Sequence, residues 1–249
     1  MMKQPLRSVW IGWDSREADA YAVAHYTTRQ RYSDPLPRIG AVGPLYELRK
    51  SGLYTRPTEK RDGRLWDVIS DAPMSTEFAI ARFLTPACAG AGLALFMDAD
   101  VLVRADLAEL FASVDATKAV SVVKHDHRPL NATKMDGQVQ TSYRRKNWSS
   151  VMVFNCEHPK VEALTVERVN AMTGRELHQF AWLDDDDIGE LHPKWNWLVG
   201  HSDPAIEPGV VHFTDGYPQM AGYENVAYAD EWRAALEMAE GADALLAAT

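Results

Sequence analysis

Two aspartates, Asp98 and Asp100, directly follow an apolar run that ends at Met97. In an extended strand, side chains two residues apart point to the same face, so both carboxylates are expected to point the same way. Removing two carboxylates from water costs free energy unless cations or hydrogen-bond donors compensate. The small Ala99 between them leaves room for a ligand, and paired oxygen donors suit Mg²⁺ or Mn²⁺. A simple turn cap after the strand is the alternative that spacing alone leaves open.

Predicted strands and helices alternate around this pair, which is typical of an α/β fold. The first strand, at 8–13, leads directly into Asp14 and Glu17, which match the Asp-x-x-Glu capping box of a helix start. A strand that leads into a helix is where α/β proteins often bind nucleotides. The stripe of this helix that is expected to face inward is Ala18, Tyr21, Ala22 and His25.

Capping residues and apolar periodicity predict three further helices and two further strands. The helices are expected at 75–85 before Pro86, at 106–114 with Asp106 and Glu109 as a capping box, and from Pro159 to just before Gly174. The strands are expected at 119–123 and 150–154, and residues 34–74 are expected to form a long excursion with short strands. No linker divides the chain, so one domain is predicted over 1–249, with a helical tail at about 228–249.

The composition is that of an ordinary globular protein, because 46% of the 249 residues are hydrophobic and 24% are charged. No apolar run approaches the ~20 residues of a transmembrane helix, and the chain starts without an apolar signal-peptide stretch, so a cytoplasmic location is expected. The net charge of −9 argues against general affinity for nucleic acid. Cys88 and Cys156 lie outside any metal-type spacing and are expected to be buried thiols.

The segment from about 124 to 147 is rich in Lys, Arg and His. It is either a solvated loop or a basic flap over an anionic ligand, and its position between two predicted strands favours a flap that closes over that ligand.

Several motifs together resemble the retaining glycosyltransferases of the GT-A fold, in particular family 8, which includes glycogenin and bacterial lipopolysaccharide sugar transferases. Residues 96–103 resemble its Tyr-Leu-Asp-x-Asp-Val-Leu-Val segment, residues 78–82 its Tyr-Ala-Arg helix, and residues 211–216 its His-Tyr/Phe-x-Gly close. The likeness runs from about Val9 to Tyr217. It implies a Rossmann-like, mixed but mostly parallel sheet flanked by helices.

The resemblance also implies site residues. Asp98, Asp100 and His212 would hold Mn²⁺ (or Mg²⁺) against the diphosphate of a nucleotide sugar, whose developing charge must be neutralised as it leaves. Asp185 and Asp186, within a run similar to the family's Asp-Gln-Asp-Ile segment, would be catalytic, at the donor sugar and the reacting face. The other implied contacts to the nucleotide sugar are Gly12, Asp14 at the nucleobase, Arg82 at the phosphate and sugar region, Ala99, Lys124, Ser149 and Gly216.

The chain departs from the family pattern at several places, which leaves the donor sugar open. Trp148-Ser149-Ser150 stands where the family usually has Asn-Ala-Gly, and 124–126 replaces an acidic sugar contact. The lysine that normally binds the diphosphate is absent from 217–219, so Lys124, Lys146 or another cation is expected to replace it. The tryptophans of 195–197 fit either stacking on an acceptor sugar or packing in the core.

The sequence therefore predicts a metal-dependent, retaining glycosyltransferase that uses a nucleotide sugar, with UDP as the expected nucleotide. Its hydroxyl acceptor could be a glycan, a protein, a small molecule or a modified nucleic acid. A glycosidase fits less well, because its carboxylates must flank the scissile bond. A nucleotidyltransferase would normally carry a Gly-rich phosphate loop near its start, which 10–17 lacks. A non-catalytic nucleotide- or sugar-binding module would seldom need a metal triad.

Overall fold

Short helices and strands alternate along the chain in a computed structural model that describes residues 6–33, 37–125, 145 and 147–247. The strands are β1 (Arg7–Gly12), β2 (Arg38–Val42), β3 (Thr58–Arg61), β4 (Arg64–Asp67), β5 (Ala72–Pro73), β6 (Leu93–Met97), β7 (Val101–Val103), β8 (Val120–Val122), β9 (Val151–Asn155), β10 (Ile188–Glu190), β11 (Trp197–Leu198) and β12 (Val210–His212). The helices are α1 (Ala18–Gln30), α2 (Leu45–Lys50), α3 (Phe78–Ala81), α4 (Thr85–Ala89), α5 (Leu107–Ala112), α6 (Pro159–Glu162), α7 (Val166–Ala171), α8 (Gly174–His178) and α9 (Ala229–Ala247).

The central sheet has the strand order β10-β8-β9-β6-β1-β2. Strand β1 runs parallel to β2 and β6, and β8 runs parallel to β10, whereas β9 is antiparallel to β6 and β8. Two further sheets have the orders β11-β12-β7 and β3-β4-β5. The single domain with a mixed, mostly parallel sheet flanked by helices confirms the predicted fold class.

The central strands are buried on both faces. In β1, Trp10 packs in one hydrophobic cluster and Val9 in the other, since successive side chains of a strand point to opposite faces. In β6, Phe96 joins the cluster of Trp10, whereas Leu95 joins that of Val9. A strand with two buried faces has no need of polar alternation, which explains the continuous apolar run at 93–97.

The helix predicted at 75–85 is broken into shorter pieces. Helix α3 passes into a 3₁₀ turn at Arg82–Leu84, and α4 then starts at Thr85 and includes Pro86. The expected stop before Pro86 was wrong, because proline is well tolerated in the first turn of a helix, where its missing N–H has no partner.

The single helix predicted from Pro159 is three helices. Thr165 and Thr173 each cap a new helix with their side-chain oxygen, and Gly174 begins α8 instead of following a helix end. At α5, Asp106 is the predicted cap and accepts a hydrogen bond from the backbone N–H of Ala108.

The capping box predicted from Asp14 and Glu17 does not form. Helix α1 begins at Ala18 without a side-chain cap, and both oxygens of Asp14 are held by Arg16 and the backbone N–H of Glu77. The predicted inward stripe was also wrong: Ala18 is exposed, and Tyr21, Ala22 and His25 are half-buried. The helix packs against α9 as well as β1 and β7, so its buried face lies at Ala20, Val23, Ala24, Thr27 and Thr28.

No helix in the described part of the chain is long and apolar enough to cross a membrane. Cys156 is buried, as predicted, but Cys88 is only partly buried, and both are free thiols. Burial raises the pKa of each thiol to about 11.

A buried ion pair ties the excursion that contains β3, β4 and β5 to the rest of the domain. The guanidinium of Arg56 binds Asp67 through two hydrogen bonds, of 2.9 Å from Nε and 2.5 Å from Nη2. Its Nη1 donates to the backbone carbonyls of Val169 and Met172, at the end of α7. The side chain of Arg56 is 0% exposed and that of Asp67 only 2% exposed, so each charge depends on the other for its compensation.

We predict that Arg56→Met lowers the free energy of unfolding by about 3–5 kcal/mol, because it leaves the Asp67 carboxylate buried without its cation. Urea unfolding would measure this loss. The matched control is Arg61→Met, which removes ion pairs from a side chain that is 41% exposed and should cost much less, because exposed ion pairs contribute little to stability. Equal losses for the two variants would contradict the prediction.

Candidate metal centre

Asp98 and Asp100 reach the same cavity by a route that differs from the predicted one. Strand β6 ends at Met97, and Asp98, Ala99 and Asp100 form a bend before β7. The bend is fixed by two backbone hydrogen bonds: the N–H of Asp98 donates to Ser150 (2.9 Å), and the carbonyl of Asp100 accepts from Phe213 (3.0 Å). The carboxylates therefore converge through the bend and not through strand alternation.

The third member of the centre arrives from β12. This strand pairs antiparallel with β7, which places His212 opposite Val101, next to Asp100. The ring of His212 is buried, and its Nε2 lies 3.4 Å from Oδ1 of Asp100. One ligand atom from each of Asp98, Asp100 and His212 lies within 4.8 Å of the others, so the three together could hold a metal ion.

Asn196 fixes the orientation of the His212 ring. Its side-chain nitrogen donates to the carbonyl of Asn147 (3.2 Å) and to Oγ of Ser150 (3.0 Å), so its oxygen must face Nδ1 of His212, 2.9 Å away. An amide oxygen only accepts, so Nδ1 carries the hydrogen. In the neutral ring Nε2 then keeps its lone pair on the side of Asp100, as in a metal-binding histidine held by an outer partner.

Arg82 supplies a buried positive charge beside the carboxylates. Its Nη1 lies 2.8 Å from Oδ1 of Asp98 and donates to the carbonyl of Ser149 (2.9 Å). The guanidinium carbon lies 5.3 Å and 5.2 Å from the ring centroids of Phe78 and Phe96, which fits cation–π contacts on both. Burial raises the pKa of Asp98; Arg82 opposes this shift and Asp100 adds to it.

The centre opens into a cavity of about 500 Å³. The cavity is lined by Arg16 and Glu17, in the turn before α1, and by Ser149 and His178. Nδ1 of His178 and Oγ of Ser149 are 2.7 Å apart. The volume of the cavity is within the range of small-molecule sites.

The cavity brings together about half of the residues predicted for the site. Those that line it are Arg82, Asp98, Asp100, Ser149, His212 and Gly216. Those that do not are Gly12, Asp14, Ala99, Lys124, Asp185 and Asp186.

The residues away from the cavity have other surroundings. A Cβ on Gly12 would lie 2.6 Å from the ring of Phe78, so the glycine serves the close packing of α3 on β1. Ala99 is completely buried, and Asp14 is covered by Arg16. The Nζ of Lys124 lies 6.0 Å from the ring centroid of Trp148.

The aspartate run forms a 3₁₀ turn before β10. Asp184 and Asp187 hold this turn through reciprocal side-chain to backbone hydrogen bonds. Asp185, whose side chain is 67% exposed, pairs with Arg145, and Asp186 is exposed.

Four residues of this centre were not predicted from the sequence as site residues. Arg16, Glu17 and His178 line the cavity, and Asn196 supports His212. In the sequence, Glu17 matches only the end of a capping box, and Asn196 is marked only by its place between two tryptophans. Neither pattern indicates a site residue. Trp195 and Trp197 are core residues, 1% and 5% exposed, which excludes the alternative that they stack on an acceptor sugar. The predicted basic flap falls mostly on 126–144 and 146, including Lys146, outside the described residues.

Solved structures with the same fold are glycosyltransferases at low sequence identity. The galactosyltransferase LgtC, solved with donor and acceptor sugar analogs, is 15% identical and has a TM-score of 0.58, covering 93% of this chain and 95% of LgtC. The bifunctional glycosyltransferase WbbM is 16% identical with a TM-score of 0.58, and the match covers 95% of this chain but only half of WbbM. These matches confirm the GT-A fold.

One relative is much closer in sequence. No protein-family model matches the chain. Protein CDI of Arabidopsis thaliana is 41% identical over 238 residues, which cover 92% of this chain and 85% of that protein. At this identity and coverage the two chains share a family, and the chain belongs to the family of the Arabidopsis Protein CDI.

Proposed function

We propose that the protein is a metal-dependent glycosyltransferase that moves a sugar from a nucleotide donor to a hydroxyl acceptor. The observation that carries this proposal is the convergence of Asp98, Asp100 and His212 on a cavity at the carboxyl edge of a GT-A sheet. Ligands of open α/β sheets bind at this edge. The glycosyltransferase LgtC, solved with sugar analogs, has the same fold, which adds support from its fold alone.

The residues of the centre fit a divalent ion. Two carboxylate oxygens and one imidazole nitrogen form a mixed oxygen and nitrogen set, which suits Mn²⁺ and accommodates Mg²⁺. Three protein ligands would leave other coordination positions of the ion for diphosphate oxygens and water. Asn196 fits the outer contact that a metal-binding histidine requires.

The reaction would break the bond between the donor sugar and the nucleoside diphosphate. When bound, the divalent ion would neutralise charge that develops on the leaving diphosphate. Arg82 would hold the Asp98 carboxylate in place and add its own positive charge to the same region. The pair of buried Ser149 and half-buried His178, which lines the cavity, offers polar groups to the hydroxyls of a sugar.

Three finer features belong to the same proposal. We infer UDP as the nucleotide, Mn²⁺ as the metal and retention of configuration from the resemblance to glycosyltransferase family 8. Retention without a separate nucleophile would require the acceptor hydroxyl to attack from the face that the diphosphate leaves. Asp185 and Asp186 stay predicted catalytic residues. The proposal also includes a hydroxyl acceptor, which is a glycan, a protein, a small molecule or a modified nucleic acid, and a cytoplasmic location.

The proposal predicts that UDP raises the melting temperature only when Mn²⁺ or Mg²⁺ is present. At 100 times its dissociation constant the ligand adds about 2.7 kcal/mol of stability, roughly 5–10 °C for a chain of this size. Asp100→Asn and His212→Ala should abolish the shift, and Asp230→Asn, at a fully exposed aspartate, should leave it intact. A larger shift with GDP or ADP would show that the nucleotide is wrong, and no metal-dependent shift with any nucleotide would contradict the function.

Asn196→Ala should weaken Mn²⁺ binding about 10- to 100-fold, because the His212 ring loses the acceptor that sets its tautomer and orientation. Calorimetric titration with Mn²⁺ would measure the affinity. Asn155→Ala, which removes a side-chain hydrogen bond to the carbonyl of Ala116 outside the cavity, is the matched control. Unchanged Mn²⁺ affinity in Asn196→Ala would show that the contact between Asn196 and His212 does not contribute to metal binding.

If Asp185 and Asp186 act on the donor sugar, Asp185→Asn and Asp186→Asn should each lower metal-dependent release of UDP from a UDP-sugar by about 10²-fold. UDP and Mn²⁺ affinity should stay unchanged, because neither residue lines the described cavity. UDP release rates within about threefold of the Asp230→Asn control would show that Asp185 and Asp186 are part of a structural turn and take no part in the reaction.

A further inference from the structure

The turn between β1 and α1 contains an aspartate whose carboxylate is fully used inside the chain. Oδ1 of Asp14 accepts hydrogen bonds from the backbone N–H of Arg16 (2.8 Å) and from its Nε (3.0 Å). Oδ2 accepts from Nη2 of Arg16 (2.7 Å) and from the backbone N–H of Glu77 (2.8 Å). A carboxylate has about four acceptor positions, so these four bonds fill it. The side chain is also 0% exposed, so a ligand cannot reach it.

The same contacts fix the side chain of Arg16. Its Nε and Nη2 donate to Asp14, and Nη2 also donates to the carbonyl of Ser75 (2.6 Å). The side chain is nevertheless 60% exposed and lines the cavity, and no described residue accepts a hydrogen bond from its Nη1. An arginine held in this way has lost its conformational freedom before a ligand arrives, which distinguishes it from a mobile surface arginine.

Glu17 lines the same cavity as this guanidinium and the metal centre. Burial raises the pKa of Glu17, and the carboxylates of Asp100, Asp14 and Asp98 raise it further, whereas the guanidinium of Arg16 lowers it. Glu17 is therefore within electrostatic reach of Arg16 and of the metal centre. Arg16, Glu17, Asp98 and Asp100 line the same cavity, whereas Asp14 does not. A nucleoside diphosphate with its diphosphate at the metal centre can therefore extend within this cavity toward Arg16. Arg16 lies at the strand–helix turn, where α/β folds bind nucleotides.

We propose that Arg16, and not Asp14, contacts the nucleobase of the donor, and that Asp14 is the positioning residue for Arg16. This inference rests on the proposed function. A guanidinium only donates hydrogen bonds, so Nη1 would bind a carbonyl oxygen or ring nitrogen of the base. A carboxylate at the same place would instead select an N–H group. The chain would then read uracil through its oxygens, without using the N3–H.

The first experiment needs no variant. With Mn²⁺ present, the dissociation constants of UDP, 3-methyl-UDP and inorganic pyrophosphate are measured by calorimetry for the wild-type protein. We expect UDP to bind at least tenfold more tightly than pyrophosphate, and 3-methyl-UDP to bind within about threefold of UDP. A tenfold or greater loss on methylation would overturn the inference, because N3–H would then be read. Equal affinity for UDP and pyrophosphate would overturn it too, because no nucleoside contact would exist.

The second experiment separates the base from the diphosphate. Arg16→Gln and Arg16→Lys should weaken UDP about tenfold, the scale of one hydrogen bond to a charged group, and leave pyrophosphate within about twofold. Retained pyrophosphate binding also shows that each variant is folded. Arg61→Gln, at an exposed arginine outside the cavity, is the matched control. Equal weakening of both ligands would place Arg16 at the diphosphate and overturn the inference, as would no weakening at all. If neither ligand binds to wild type with Mn²⁺, the proposed function itself fails.

Discussion

The burial of one cation beside two carboxylates is the constraint on which the site depends. Asp98 and Asp100 would repel each other in a half-buried bend, and Arg82 compensates from a position inside the apolar core. Its guanidinium contacts the rings of Phe78 and Phe96 and still reaches Asp98 and the carbonyl of Ser149. Removing such a partner from water costs free energy that only these contacts offset. The positions of α3, β6 and the start of β9 are therefore linked through one side chain.

The parts of this site that sequence reasoning could predict are those encoded locally. The apolar run before Asp98, the spacing to Asp100 and the capping residue Asp106 are short-range patterns, and each is found in the structure. The position of His212 came from a family resemblance, and the antiparallel pairing of β12 with β7 explains how it reaches the aspartates. Helix existence was predicted better than helix length, because the caps at Thr165 and Thr173 interrupt a continuous apolar pattern.

The remaining features depend on partners distant in sequence. Asp14 looked like a helix cap, yet its fourth hydrogen bond comes from Glu77, and nothing in the residues around Asp14 shows that contact. The support of His212 by Asn196 needs the turn before β11 to lie beside β12. Trp195 was ambiguous for the same reason, since an aromatic residue in a turn fits a binding surface or a core equally well until its neighbours are known. These are tertiary contacts, and local propensity carries no information about them.

Strand β9 runs antiparallel to both of its neighbours, which decides where the connection from β8 to β9 lies. Because β8 and β9 are antiparallel neighbours, β8 ends and β9 begins at the same edge of the sheet, where Ser150 meets Asp98. The described end of the connection between these strands lies at the cavity, which Ser149 and Ser150 line. Such a connection can be lengthened, shortened or replaced during divergence at little energetic cost to the strands. Changes in the length of this connection would therefore leave in place the pairing of β8 with β9 and the backbone hydrogen bond that fixes Asp98.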